Sequence, residues 1–152
     1  DVHGLIHDAL SLEHAALLKH RVQIRAETAG PLPNVHGDRV QLQQVLINLI
    51  TNAIKFSPRE GSIHVELTKR EGLAVLDVVD QGAGVAAEER ERVFEPFFRG
   101  TRARRGTVKG SGLGLAIAKE YVLAHRGKIE VIEEGKGGHL RVKLPLNWEK
   151  KD

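Results

Sequence analysis

Apolar residues along the stretch 42–56 recur at the spacing of one helical face. Leu42, Leu46, Leu49, Ala53 and Phe56 fall together at about 100° per residue, with Ile50 and Ile54 beside them. The pattern predicts a helix that begins near Asp38, whose carboxylate is placed to cap it. Gln44, Asn48, Asn52 and Lys55 make a polar stripe on another face of the same helix. Two carboxamides and an ammonium among aliphatic neighbours are costly to bury unless something polar fills the space between them. Two readings stay open at this point. One is a ligand carrying negative charge together with a cation; the other is an amphipathic helix with a solvated edge.

The same periodicities divide the rest of the chain. Residues 2–19 read as a first helix on Leu5, Ala9, Leu12, Ala16 and Lys19, and 20–27 as a strand on Val22, Ile24 and Ala26. Gly30-Pro-Leu-Pro33 breaks the chain before the Asp38 helix. After a turn over 57–61, residues 62–69 alternate Ile63, Val65 and Leu67 as a half-buried strand. Residues 73–79 are the most apolar strand, hence the central one, and they end at Asp80. A short helix is expected over 87–94 and a longer one over 112–124, with Leu115, Ile117, Ala118, Tyr121 and Val122 buried. Strands over 128–133 and 139–144 close the chain as a hairpin. The pairs 62–69/73–79 and 128–133/139–144 are joined too tightly for parallel crossovers. The expectation is therefore an α+β fold: a two-layer α/β sandwich with a mixed, mostly antiparallel sheet of about five strands and three main helices on one face.

Composition narrows the partners. A chain of 152 residues, 41% hydrophobic and 28% charged, suits one globular domain. Cysteine is absent, which excludes disulfides and thiolate metal sites. Methionine is absent too, position 1 included, so the chain is expected to be a piece of a longer protein. No apolar run approaches the roughly 20 residues that cross a bilayer, and no signal-like segment opens the chain, so no membrane contact is expected. The net charge of +3 is mild and its basic excess gathers in Arg99, Arg102, Arg104, Arg105 and Lys109, without interleaved aromatics. That argues against nucleic acid and leaves a local anion site or a solvated loop.

Two glycine-rich stretches could carry chemistry. Asp80-Gln-Gly-Ala-Gly84 follows the apolar strand. A strand-end carboxylate can accept from an exocyclic amine, while Gly82 and Gly84 let backbone approach a flat ring; Asp before Gly is also an ordinary turn. Gly110-Ser-Gly-Leu-Gly-Leu115 opens a helix, where unobstructed amides make an anion site or, alternatively, a hinge for the basic loop. It lacks the Gly-Lys-Ser/Thr of a Walker A loop and the preceding strand of a dinucleotide fingerprint. No His pair has the spacing of a zinc site.

In this order the pieces resemble the catalytic ATP-binding domain of bacterial sensor histidine kinases, the Bergerat fold of the superfamily shared with gyrase and mismatch-repair ATPases. Asn48-Leu-Ile-Thr-Asn-Ala-Ile-Lys-Phe56 looks like the N box, Asp80–Gly84 like the first glycine box, Val93-Phe-Glu-Pro-Phe-Phe-Arg99 like the F box, and Gly110–Leu115 like the second glycine box. The resemblance implies ATP and Mg²⁺ as cofactors. Asn52 would bind Mg²⁺ through its amide oxygen, with Asn48 close by. Lys55 would approach a phosphate, Phe56 would line the base pocket, and Asp80 would accept from the adenine amine. Gly82, Gly84 and Val85, with Phe97 and Phe98, would complete the nucleotide contacts. Residues 99–114 would form a lid over the phosphates, with Arg99 toward the γ-phosphate. Gly110, Ser111, Gly112, Leu113, Gly114 and Leu115 would carry the phosphate-facing backbone. The implied activity is donation of the γ-phosphate to a histidine on a separate dimerisation domain, with a response regulator as indirect partner. The implied location is the cytoplasm, beneath a membrane-bound parent.

Three departures bear on this. Asn48 stands where the superfamily's ATPases place a water-activating Glu, and a carboxamide is no general base. That favours phosphoryl transfer over the alternatives of a hydrolysing ATPase clamp, a non-catalytic nucleotide sensor, or a serine kinase of the same superfamily. Gly137-Gly138-His139-Leu140 stands where the kinases usually have Gly-Thr-x-Phe, which shifts base recognition toward Asp80. None of the eight histidines has the acceptor motif: His7-Asp8 comes nearest, but Leu12 occupies the place of its proline.

Overall fold

The structure, a computed structural model, describes residues 37–56, 61–82, 87–96, 113–132 and 137–146, the backbone of 23–28, and Gly4, Ile6 and Asp8. The long helix α1 (Arg39–Phe56) begins as its sequence requires. The Gln41 N–H donates to Asp38 Oδ1 at 3.0 Å, and the Leu42 N–H donates to the Asp38 carbonyl at 3.0 Å, so Asp38 is the N-cap. Leu42, Val45, Leu46, Leu49, Ile50, Ala53 and Ile54 are buried, which is the expected face plus Val45; Phe56, at the last position, is half-buried.

Strands β1 (Gln23–Thr28), β2 (Ser62–Arg70), β3 (Leu73–Val79), β4 (Lys128–Val131) and β5 (His139–Pro145) lie in the order β1-β2-β3-β5-β4. Strands β2, β3, β5 and β4 are antiparallel neighbours, while β1 runs parallel to β2. The parallel pair is the one joined through α1, the long connection such a pair needs. Strand β3, the most apolar, sits at the centre. The β2–β3 hairpin pairs Arg70 with Leu73 across two residues, Glu71 at φ 50° and Gly72 at φ 78°. Positive φ at both positions is the type I′ geometry that matches strand twist.

Helix α2 (Gly114–Ala124) runs antiparallel to α1 and is tied to it at both ends. Near one end Asn48 bonds to Gly114; at the other, the Asp38 N–H donates to His125 Nε2 at 2.9 Å. His125 Nδ1 lies 2.8 Å from the Tyr121 carbonyl, which places the ring proton on Nδ1. The core lies between the two helices and one face of the sheet. Ile63, Val65, Leu67, Ala74, Leu76, Val78, Leu140, Val142 and Leu144 meet the α1 stripe, with Ala118 and Val122 of α2 and Ile6. Each fully buried aliphatic side chain contributes about 1.5–3 kcal/mol.

The opposite face of the sheet is charged yet closed at its centre. Asp77 on β3 is 5% exposed. Its Oδ1 lies 2.6 Å from His139 Nε2 and accepts from Arg141 Nε at 2.7 Å. Beside them Glu130 bridges Lys128 and Lys143, each at 3.2 Å.

One expectation needs correction. Residues 87–94 do not form one helix but two 3₁₀ turns, Ala87–Glu89 and Arg92–Phe94. The run is too short for a helical nucleus to be favourable without packing, and Phe94 is its one buried anchor among the described residues. Glu95 then turns extended, as a residue before proline must, at φ −73° and ψ 140°. The expected first helix over 2–19 lies outside the described residues except at Gly4, Ile6 and Asp8, so the described helical layer holds α1 and α2. The breaker at 30–33 and the basic stretch 99–109 also fall outside them. Among the described residues no helix is long and apolar enough to cross a membrane.

Candidate nucleotide-binding site

Asp80 is positioned by two adjacent strands rather than by its own turn alone. It leaves the end of β3 buried, 7% exposed. Its backbone N–H donates to the Gly138 carbonyl at 2.9 Å, extending the β3–β5 ladder by one step. The Gly138 N–H returns a bond to Asp80 Oδ1 at 3.1 Å, and the Gly82 N–H donates to the same oxygen at 2.7 Å. One carboxylate oxygen is thus fixed by two backbone donors, while Oδ2 accepts no hydrogen bond among the described residues. A fixed carboxylate with one open oxygen is an acceptor for an amine edge. Glycine at 138 permits this close approach, since a Cβ there would stand 2.5 Å from Asp80 Oδ2 and 3.0 Å from its Cγ and would make the carboxylate shift. Next in the chain, Gln81 Oε1 accepts the Ser62 N–H at 3.0 Å and pins the turn to the start of β2.

The polar stripe of α1 faces the start of α2 at Asn48. Asn48 Nδ2 donates to the Gly114 carbonyl at 2.9 Å, and Asn48 Oδ1 accepts from Gln44 Nε2 at 2.6 Å. One turn further along α1, Asn52 is half-buried and its amide makes no hydrogen bond among the described residues. Lys55, a turn beyond, is exposed and has no ion pair among them. The stripe therefore carries a committed carboxamide, an open one and an open ammonium in succession. Leu113, the N-cap of α2, provides no side-chain cap hydrogen bond, so no side chain of the cap closes off the first-turn amides. Gly114 is the first residue of α2, and Leu115 packs half-buried against the core.

Of the residues expected in the site, Asn48, Asn52, Lys55, Phe56, Asp80, Gly82, Leu113, Gly114 and Leu115 are described. Gly84, Val85, Phe97, Phe98, Arg99, Gly110, Ser111 and Gly112 lie outside the described residues. Two participants were not assigned a role from the sequence. Gly138 departs from the usual Gly-Thr, yet its backbone holds Asp80. Gln44 was placed in the stripe, yet nothing in its spacing showed that it grips Asn48. Behind the Asp80 seat, burial pushes the Asp77 carboxyl up, but hydrogen bonds and charge from His139 and Arg141 outweigh it and hold it below its ordinary value.

Solved structures that superpose on this chain include histidine kinases, which sets the class of fold. The mycobacterial sensor histidine kinase MprB aligns with a TM-score of 0.81 at 32% identity, covering 95% of this chain and 94% of that one. Full-length ShkA in complex with AMPPNP aligns at 0.80 and 30% identity, covering 95% of this chain and 30% of that one. The chain belongs to the histidine kinase-, DNA gyrase B-, and HSP90-like ATPase family, which matches residues 37–147. The sensor-like histidine kinase SenX3 of Mycobacterium tuberculosis is 38% identical over 146 residues, 95% of this chain and 35% of SenX3. The chain thus spans about a third of the length of this curated relative.

Proposed function

We propose that this chain is the catalytic, nucleotide-binding module of a sensor histidine kinase. It binds Mg²⁺·ATP and donates the γ-phosphate to a histidine on a dimerisation domain outside the chain, from which a response regulator is served. The observation that carries the reading is the state of Asn48. At the place where a hydrolysing relative needs a base stands a carboxamide bonded at both ends, to Gln44 and to Gly114. It has neither the proton affinity nor a free atom to activate water.

In this reading the Asp80 Oδ2 takes the adenine amine and Phe56 borders the ring. Lys55 and the start of α2, where Leu113 gives no side-chain cap bond, face the phosphates. The Asn52 side chain makes no hydrogen bond among the described residues, and its amide oxygen is a hard donor of the kind magnesium takes. Magnesium is commonly held by one or two protein oxygens with substrate phosphates and water, and it would supply charge neutralisation on the phosphates. The protein's own contribution is positioning: Asp80 sets the base, and the α1 stripe and α2 start set the phosphate chain. Arg99 and the Gly110–Gly112 backbone complete the phosphate end, Gly84, Val85, Phe97 and Phe98 the base end, and 2–19 a third helix. The module acts where ATP is, on the cytoplasmic side of a membrane-bound parent.

The test mixes the chain with a separate histidine kinase dimerisation-domain fragment and γ-labelled ATP. Label should appear on the fragment's histidine, and the chain alone should release little phosphate. Release by the chain alone at the pace of ordinary kinases, roughly 1 s⁻¹ or more, would replace the transferase reading with an ATPase.

A further inference from the structure

The two ends of a carboxamide are chemically opposite, and Asn48 uses both. The Gly114 carbonyl accepts only, so it must face the Asn48 NH₂, as it does at 2.9 Å. The Asn48 oxygen is then turned away from α2, toward the Gln44 NH₂ at 2.6 Å. If the amide rotated by half a turn, oxygen would face oxygen at Gly114 and the contact between helices would become repulsive. Gln44 lies one helical turn before Asn48 on an exposed face of α1. It touches neither Asp80 nor α2 in any hydrogen bond among the described residues, and its packing contributes little to the core.

We infer that Gln44 is a positioning residue: by donating to Asn48 Oδ1 it reinforces the orientation that the Gly114 carbonyl demands of the Asn48 amide, and so helps hold the start of α2 against α1. The relay Gln44–Asn48–Gly114 therefore bears on the placement of the first residues of α2, Gly114 and Leu115. The relay itself is a property of the nucleotide-free fold. Its effect on phosphate groups rests on the nucleotide-binding reading above.

Hydrogen-bond polarity at position 44 separates this role from mere packing. Gln44→Lys still donates and cannot accept; Gln44→Glu, at neutral pH, accepts and cannot donate. Because the side chain is exposed, neither change threatens the fold. Hydrogen exchange in the nucleotide-free chain reads the first turn of α2, including the Ile117 amide bonded to the Leu113 carbonyl. Gln44→Glu should speed exchange there by about fivefold, the worth of one partly exposed hydrogen bond, while Gln44→Lys stays near wild type. Equal exchange in the two variants overturns the inference. Calorimetry then extends the test: Gln44→Glu should weaken ATP and ADP while leaving adenosine unchanged. If adenosine weakens equally, position 44 does not act through the phosphate end, and that part of the inference is lost. If the wild-type chain binds no nucleotide, the nucleotide reading fails, and the exchange result still decides the relay.

Discussion

Under the proposed reading a single buried carboxylate, Asp80, carries base recognition, and its fixed geometry makes the effect of small changes predictable. Asp80→Asn leaves the volume unchanged but puts a donor where an acceptor faces the adenine amine. The charge-assisted bond is lost and two donors are opposed, so ATP affinity should fall by about 1.5–3 kcal/mol. Wild type should prefer ATP to GTP, which presents a carbonyl at that edge; titration calorimetry giving equal affinities would remove Asp80 from the role. Gly138→Ala tests the same seat from the other strand. Its Cβ, 2.5 Å from Asp80 Oδ2, has to push the carboxylate aside. Overpacking of this kind costs about 1–3 kcal/mol, and here the loss should appear in ATP affinity. An Ala variant that binds ATP as tightly as wild type would show that the carboxylate can move without consequence.

At the scale of elements, much was legible because local signals agreed. The α1 helix was readable because its apolar period, its Asp38 cap and its length all point one way. The two hairpins were readable because tight connections exclude parallel pairing. Other features were not legible for physical reasons. The turns at 87–94 are held by one buried phenylalanine, a tertiary fact that no period announces. Asp77 could be seen as a charge in an apolar strand, but its partners His139 and Arg141 come from a strand about sixty residues on and are fixed only by register. Gln44 and Gly138 act through directed bonds, which composition does not encode. The β2–β3 turn also retains room for improvement. Glu71 occupies left-handed backbone at φ 50°, a conformation Asn adopts more readily. Glu71→Asn should stabilise the domain by about 0.5–1 kcal/mol, seen as a higher urea midpoint with an unchanged slope; no gain would mean the turn conformation is not limiting.

The whole molecule has one apolar and one charged sheet face, and the charged face sets its response to acid. The Asp77 carboxyl is held below its ordinary 3.8, and the Glu130 carboxyl below its ordinary 4.5; in both, burial opposes the shift and the neighbouring cations outweigh it. A depressed folded value means the unfolded chain binds the proton first as pH falls. The stabilisation is therefore complete above those ordinary values and is lost as pH drops through the lower folded ones. Asp77→Asn should cost about 3–5 kcal/mol at pH 7, because it breaks a buried pair. The gap to wild type should narrow below about pH 4, in urea melts taken from pH 7 to pH 3. A gap independent of pH would show that the network stabilises by shape rather than by charge. The Asp80–Gly138 clamp has a consequence for the cell under the proposed reading. Its bonds are complete without any ligand and involve no phosphate-facing group, so the base seat cannot distinguish a spent nucleotide from a fresh one. Spent and fresh nucleotide then compete for the same place, and the fraction of modules ready to signal follows the ratio of ATP to ADP rather than the amount of ATP alone.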